Sequence, residues 1–436
     1  MRWSGLIFVF ISFLLWQGCV SVKYQENVSH YRLQIEALQK RLQKNPDDAE
    51  ALRDLGVIYF QTRQYANAKD YFAKAYEVNP QDAKTLFYLG LSLEFDNKNA
   101  EALKVYGRYT EIAKFSPWRR KMEGRYRWLT RQMIMQEMRA LLQKEAQLGT
   151  ERISSRAVAV FPFSYTGKNK KYAPLGKGLA EMMITDLSQV RDLKVIERVR
   201  LQALLEEMAL GQSVVVEPRT APRFGKLLGA GKIVRGSYNV LGQNRVRLDV
   251  AFWDVLNHQF PAATSQSDDL NNLFKLEKDI VLKVIDEMGI ELTPQERERI
   301  QRIPTKNMQA FLAYCLGLEQ EDAGNFEAAS RFYQKAATLD PEFKIAEKKA
   351  EEVSAVNEAS GSKEQLAAQM EPPAGKQPSR TTDLVTNRLQ NLNTSIGSTF
   401  IPGQDSREPA EDVSISSGGQ IGAQVLPEPP QPPGGR

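Results

Sequence analysis

The chain has 436 residues, enough for two or three domains, and a net charge of +5, too small to name a polyanionic partner. It holds two histidines, His30 and His258, and two cysteines, Cys19 and Cys315. That inventory excludes a zinc site of paired Cys and His, a disulfide scaffold and, in practice, a Ser-His-Asp hydrolase.

The N-terminus reads as a signal peptide, with Arg2 as a short charged region and Leu6 to Trp16 as an apolar stretch too short to span a bilayer. Its end, Leu15-Trp16-Gln17-Gly18-Cys19, resembles a bacterial lipobox, although Trp16 and Gln17 depart from the preferred residues. The resemblance implies cleavage before Cys19 and lipidation of that cysteine, hence a membrane anchor. Val20 in place of Asp implies the outer membrane, facing the periplasm.

A polar helix is expected from Val28 to Lys44. Then Leu52, Leu55, Gly56, Tyr59, Ala68, Phe72, Ala75 and Pro80 recur at fixed offsets, and Leu86, Leu89, Gly90, Leu93, Ala102 and Tyr106 repeat them. A third copy starts near Ala310, with Gly317, Ala329, Tyr333, Ala336 and Pro341. This spacing resembles the tetratricopeptide repeat, which stacks helix pairs into a curved protein-binding surface. The resemblance implies groove positions at Arg53, Val57, Phe60, Phe87, Leu91 and Glu94. A purely scaffolding role for the repeats stays open. Between repeats and strands, Lys114, Arg119, Arg120, Lys121, Arg125, Arg127 and Arg131 alternate with Phe115, Trp118, Tyr126 and Trp128. Three readings stand: a solvated helix capping the repeats, contact with an anionic membrane, or nucleic-acid binding, which an exported protein does not meet.

From Ala157 to Phe260 the pattern is α/β. AVAVFPF is a buried-strand run, and Leu179, Met183 and Leu187 mark one helix face. LKVIE is a short strand before a helix with Leu201, Leu204 and Leu205, and a further helix stops at Gly229. KIVRGSYNV and NRVRLDVAFWDV form a hairpin. Four pieces in this order, AVAVFPF, PLGKGLAEMMITDL, LKVIERVRLQALLEEMAL and GKLLGAGKIVRGSYNVLG, resemble the CsgG-like family, with a likeness to the N-terminal domain of TolB-type proteins. That resemblance implies a place in the bacterial envelope and work in export or assembly of surface structures. The connections are too short for a membrane-spanning β-hairpin, so no transmembrane barrel is expected from this chain.

Beyond the hairpin, Leu270 to Met288 is a long amphipathic helix, Thr293-Pro294-Gln295-Glu296 a capping box, and Thr305 the expected cap of the next helix. Cys315 lies on an apolar face and reads as a buried structural thiol. Gly229 to Lys232 fails as a phosphate loop, Gly176-Lys177-Gly178 reads as a helix start with anion binding open on dipole grounds, and Glu206 and Glu207 point apart.

The expected fold is thus a CsgG/TolB-N-terminal-like α/β domain flanked by all-α tetratricopeptide helix pairs. The divisions are signal 1–18, tether and lead-in helix 19–48, repeats 49–116, connector 117–150, α/β domain 151–292, helices with a repeat 293–353, and a disordered Pro/Gly/Ser-rich tail 354–436. The expected function is non-enzymatic, without cofactor, catalytic residue or metal: a lipoprotein that binds envelope proteins. The alternative is an oligomeric subunit of an outer-membrane secretion channel.

Overall fold

A computed structural model describes residues 31–208, 220–242, 244–257 and 264–370. The expectations on the signal peptide, Cys19, both histidines and residues 371–436 lie outside the described residues.

Helix α1 covers residues 31–44. Two helix pairs follow, α2 (Ala49–Gln61) with α3 (Tyr65–Val78) and α4 (Ala83–Phe95) with α5 (Asn99–Gly107). Asp48 starts α2 by accepting from the Ala51 amide at 3.0 Å. The pairs approach closely because a small residue on the first helix faces a ring on the second. A methyl group at Gly56 would meet the Phe72 ring, and one at Gly90 the Tyr106 ring. The same offset returns late in the chain, where Gly317 of α12 (Met308–Asp322) faces Tyr333 of α13 (Phe326–Leu339).

The sheet has the order β3 (Lys194–Val195), β1 (Ser154–Val160), β4 (Ala230–Leu241), β5 (Arg245–Asp254), β6 (Thr264–Asp269). Strands β1, β3 and β4 are parallel, and the short β2 (Ser164–Tyr165) also pairs parallel to β4. Strands β4, β5 and β6 form an antiparallel meander. Gly229, at φ +69°, ends α9 (Ala221–Leu228) in the left-handed conformation that an L side chain resists. One sheet face buries Val158, Val234, Leu248 and Phe252 against α7 (Leu175–Leu187) and α10 (Leu273–Glu287). The other buries Ala159, Ile233 and Trp253 against α8 (Arg198–Glu207), α9 and the end of α6 (Pro117–Gln143).

Helix α6 carries the connector sequence and holds the molecule together. Its Met122 and Leu129 pack with the first repeats, and its Ile134 and Met138 pack under the sheet. At Gly124 it lies against the backbone of Ala355 in α14 (Lys344–Ala359), so closely that a Cβ would overlap the Ala355 carbonyl. The repeats divided in sequence are therefore joined in space through α6 and α14.

Three expectations need correction. Residues 354–370 are not part of a disordered tail: α14 runs to Ala359 and α15 (Lys363–Met370) follows, with Leu366 and Ala367 buried. Thr305 does not cap α12. Asn307 does, accepting from the Gln309 and Ala310 amides at 3.0 and 3.1 Å, while Thr305 Oγ accepts from the Asn307 amide at 3.0 Å. Strand β6 was not anticipated, because TSQSDD lacks apolar alternation; it pairs on one side only, with β5. The capping box at α11 (Pro294–Ile300) is present as expected, with Thr293 and Glu296 bonded reciprocally.

Candidate interaction surface

The groove positions inferred from the repeat pattern are mostly not open. Phe60, Phe87, Leu91 and Glu94 are buried. Phe60 packs among the rings of Tyr65, Tyr88 and Phe95 at centroid distances of 5.1, 5.2 and 5.9 Å, and Phe87 meets Trp118 of α6 at 5.5 Å. Arg53 is partly exposed but paired, its Nε 3.0 Å from Asp54 and its guanidinium 3.4 Å from Asp82. Val57 packs at the edge of the same cluster. This corrects the reading of these six residues as a free groove: four of them are buried, and α6 and α15 fill the space against α4.

Glu94 lies at the centre of that filling. Arg125 of α6 grips it with both arms, Nε to Oε1 at 2.8 Å and Nη2 to Oε2 at 2.7 Å, and Tyr106 Oη donates to Oε1 at 2.8 Å. A paired, bidentate carboxylate is the form in which a buried charge is tolerated. The remaining Arg125 nitrogen donates to the carbonyls of Ala359 and Gly361, at 3.0 and 2.8 Å. One arginine thus joins α4, α6 and the turn between α14 and α15. Helix α15 then lies on α4. Lys363 Nζ donates to the Glu94 carbonyl at 2.9 Å and to Asn97 at 3.1 Å, and sits 5.4 Å from the centre of the Phe95 ring.

A second charged cluster fixes α12 to the α/β domain. Lys177 Nζ lies 2.6 Å from Asp322, and both side chains are buried. Arg198 of α8 also contacts Asp322, and reaches Glu181 at 3.1 Å and Glu321 at 3.0 Å. Burial opposes charge on Glu321, but Lys349 and Arg198 beside it hold its carboxyl down at about 2. Burial, together with the Arg198 charge, lowers Lys177 to about 8. Gly178 leaves room for the Cys315 sulfur, and burial pushes that thiol well up. The Gly176-Lys177-Gly178 run is accordingly a packing motif: its lysine faces a carboxylate and its second glycine faces α12.

Four arginines of the basic connector are matched by acids, most of them distant in sequence. Arg120 pairs with Glu358, Arg127 with Glu123 and Glu352, Arg131 with Glu206, and Arg139 with Glu207. This answers the open reading in favour of internal packing, and it also explains why Glu206 and Glu207 point as they do. Phe115 is the exception at 96 % exposure.

A third group was missed in the sequence, although charged residues between Phe274 and Ile280 on an apolar face were the available signal. Lys278 Nζ lies 2.6 Å from Asp186 and 3.4 Å from Glu277. Burial raises the carboxyls of Glu277 and Asp186, and for Glu277 the Asp186 charge adds to it. Asp186 and Lys278 border a cavity of about 420 Å³ walled by Phe311, Tyr314 and Phe343. Among the described residues no group of three or more side chains could hold a metal ion, and no helix is long and apolar enough to cross a membrane.

Residues 132–247 match the family model of the curli production assembly/transport component CsgG. Residues 49–82 and 314–343 match tetratricopeptide repeat models. No curated protein matches the chain. Among solved structures, the LpoB C-terminal domain from Salmonella enterica is 13% identical, covering 30% of this chain and 95% of that one at a TM-score of 0.23. Lipoprotein GNA1162 from Neisseria meningitidis is 14% identical, covering 32% and 99% at 0.25. Yeast Tom70 is 12% identical, covering 88% and 74% at 0.23. At these scores the three likenesses carry no argument. The family matches do: residues 132–247 form a CsgG-type domain, with a tetratricopeptide repeat on each side of it.

Proposed function

We propose that this protein is a non-enzymatic lipoprotein of the bacterial envelope, anchored at the outer membrane through Cys19 and facing the periplasm. It binds protein partners through its repeats and its CsgG-type domain, in the export or assembly of cell-surface structures. The supporting observation is the way α6 is shared. One helix packs with the first repeats at Met122 and Leu129 and with the sheet at Ile134 and Met138. A partner held by the repeats would therefore sit on the same helix that packs under the α/β sheet, which suits an adaptor that presents both modules together.

The test is a crosslinked pull-down from membranes, read by mass spectrometry, of the intact protein beside Cys19→Ser. Recovery of envelope assembly components that depends on Cys19 supports the adaptor. Recovery of the protein alone, in one large complex, overturns it and favours the channel subunit.

A further inference from the structure

Helix α15 has the marks of an occupant rather than of a core element. It is short, Lys363–Met370, and only Leu366 and Ala367 are buried. Lys363, Leu366, Ala367 and Met370 fall at i, i+3, i+4 and i+7, which is one helical face. All four meet the first repeats: the lysine binds the C-terminal end of α4, and the other three join its apolar cluster. Its start is closed within the segment itself. The Gln365 amide donates to Ser362 Oγ at 3.1 Å and the Ser362 amide to Gln365 Oε1 at 2.8 Å. A single residue, Gly361 at φ +98°, turns the chain from α14 into α15. Among the described residues, the polar ties of α15 to the rest of the fold are few: Arg125 holds the Gly361 carbonyl at 2.8 Å and lies in the field of Glu364, and Lys363 reaches α4.

We propose that α15 is a resident stand-in for a partner helix: the surface of α4 beneath it is a docking site, and a partner segment with Lys at i and apolar residues at i+3, i+4 and i+7 binds by displacing it. The chemistry of the site dictates that pattern. The Glu94 carbonyl and the Asn97 side-chain oxygen accept from an ammonium, and the Phe95 ring face favours a cation. The apolar floor then takes three small or flexible side chains, two of them one turn further on and the third two turns on. Tethering gives α15 an effective concentration on the order of millimolar, so a free segment binds weakly until the stand-in is released. The inference rests on the adaptor reading for the identity of the partner, but not for the existence of the site.

The probe is a fluorescent peptide with this chain's own sequence from Ser360 to Glu371. Anisotropy is measured with the full-length protein, wild type and Leu366→Asp, the latter chosen to expel α15. The expected result is binding to the variant at least about tenfold tighter than to wild type, abolished when the peptide itself carries the Leu-to-Asp change. A folded variant that binds the peptide no better than wild type overturns the proposal. If the variant loses the circular dichroism of the wild type, hydrogen exchange on the unaltered protein decides. Amides of Leu366–Met370 exchanging at least about tenfold faster than the buried amides of α4 support a displaceable helix, and equal protection overturns it. Peptide binding with no envelope partner recovered in the pull-down would retain this site and discard the adaptor. Partner recovery without peptide binding would do the reverse.

Discussion

The same helical repeat serves two ends of this molecule and is closed in two different ways. At the C-terminal end, the 15-residue α12 packs against α7 through the Gly178–Cys315 contact and the buried Lys177–Asp322 pair, and against α10 through the Phe274 and Phe311 rings 5.1 Å apart. At the N-terminal end, α4 is covered by an eight-residue helix with two buried side chains. The first closure is part of a core and the second is a contact on it. Both ends lock a buried ion pair beneath the covering helix, Arg125–Glu94 at one and Lys177–Asp322 at the other, so what separates a permanent closure from an exchangeable one is how much is buried over the repeat.

The comparison breaks most severely at Arg125. Arg125→Ala leaves Glu94 as an unpaired buried carboxylate and frees the carbonyls of Ala359 and Gly361, so a loss of about 3–5 kcal/mol is expected in denaturant unfolding. Faster hydrogen exchange in α15 should accompany it. Asp322→Ala strands Lys177 at the other end, while Arg198 keeps Glu181 and Glu321, and about 3 kcal/mol should be lost with α15 exchange unchanged. Equal acceleration of α15 in both variants would erase the distinction between the two closures.

Smaller changes sharpen it. Gly178→Ala pushes a methyl into the Cys315 sulfur, and overpacking of about 1–3 kcal/mol should appear as a lower Tm with no effect on peptide binding at α4. The smallest effect concerns pH. Burial raises the Glu277 carboxyl, so the folded chain keeps a proton that the unfolded chain releases. Stability therefore declines as pH rises from the ordinary carboxylate range toward the raised value. Glu277→Gln removes that decline and should gain roughly 1–2 kcal/mol near pH 8, with little change near pH 4. A wild type whose stability is flat between those pH values would contradict this.

Local chemistry was legible where it is local. The Gly–aromatic offset announced all three helix pairs, Gly229 announced the end of α9, and Thr293 with Glu296 announced α11. What failed depends on partners far away. The cations of α6 read as a surface stripe because their acids, Glu352 and Glu358, come more than 220 residues later, as the 238-residue gap from Arg120 to Glu358 illustrates. Groove positions read as open because nothing nearby in sequence says that α6 folds into them. Helix α15 was lost in a polar composition, although Ser362 and Gln365 already spelled a capping box. Strand β6 borrows its conformation from β5 and shows no pattern of its own.

The long separations carry a consequence in time. Arg125 is 234 residues from Ala359, whose carbonyl it binds. A chain that emerges from its N-terminus, in synthesis or in export, presents that partner and the helix after it later than the first repeats and α6. Glu94 and Arg125 are both present long before then, so the first repeats assemble early while the face of α4 stays bare. Each molecule therefore passes once through an interval in which the face of α4 is uncovered, and the last helix to arrive ends that interval.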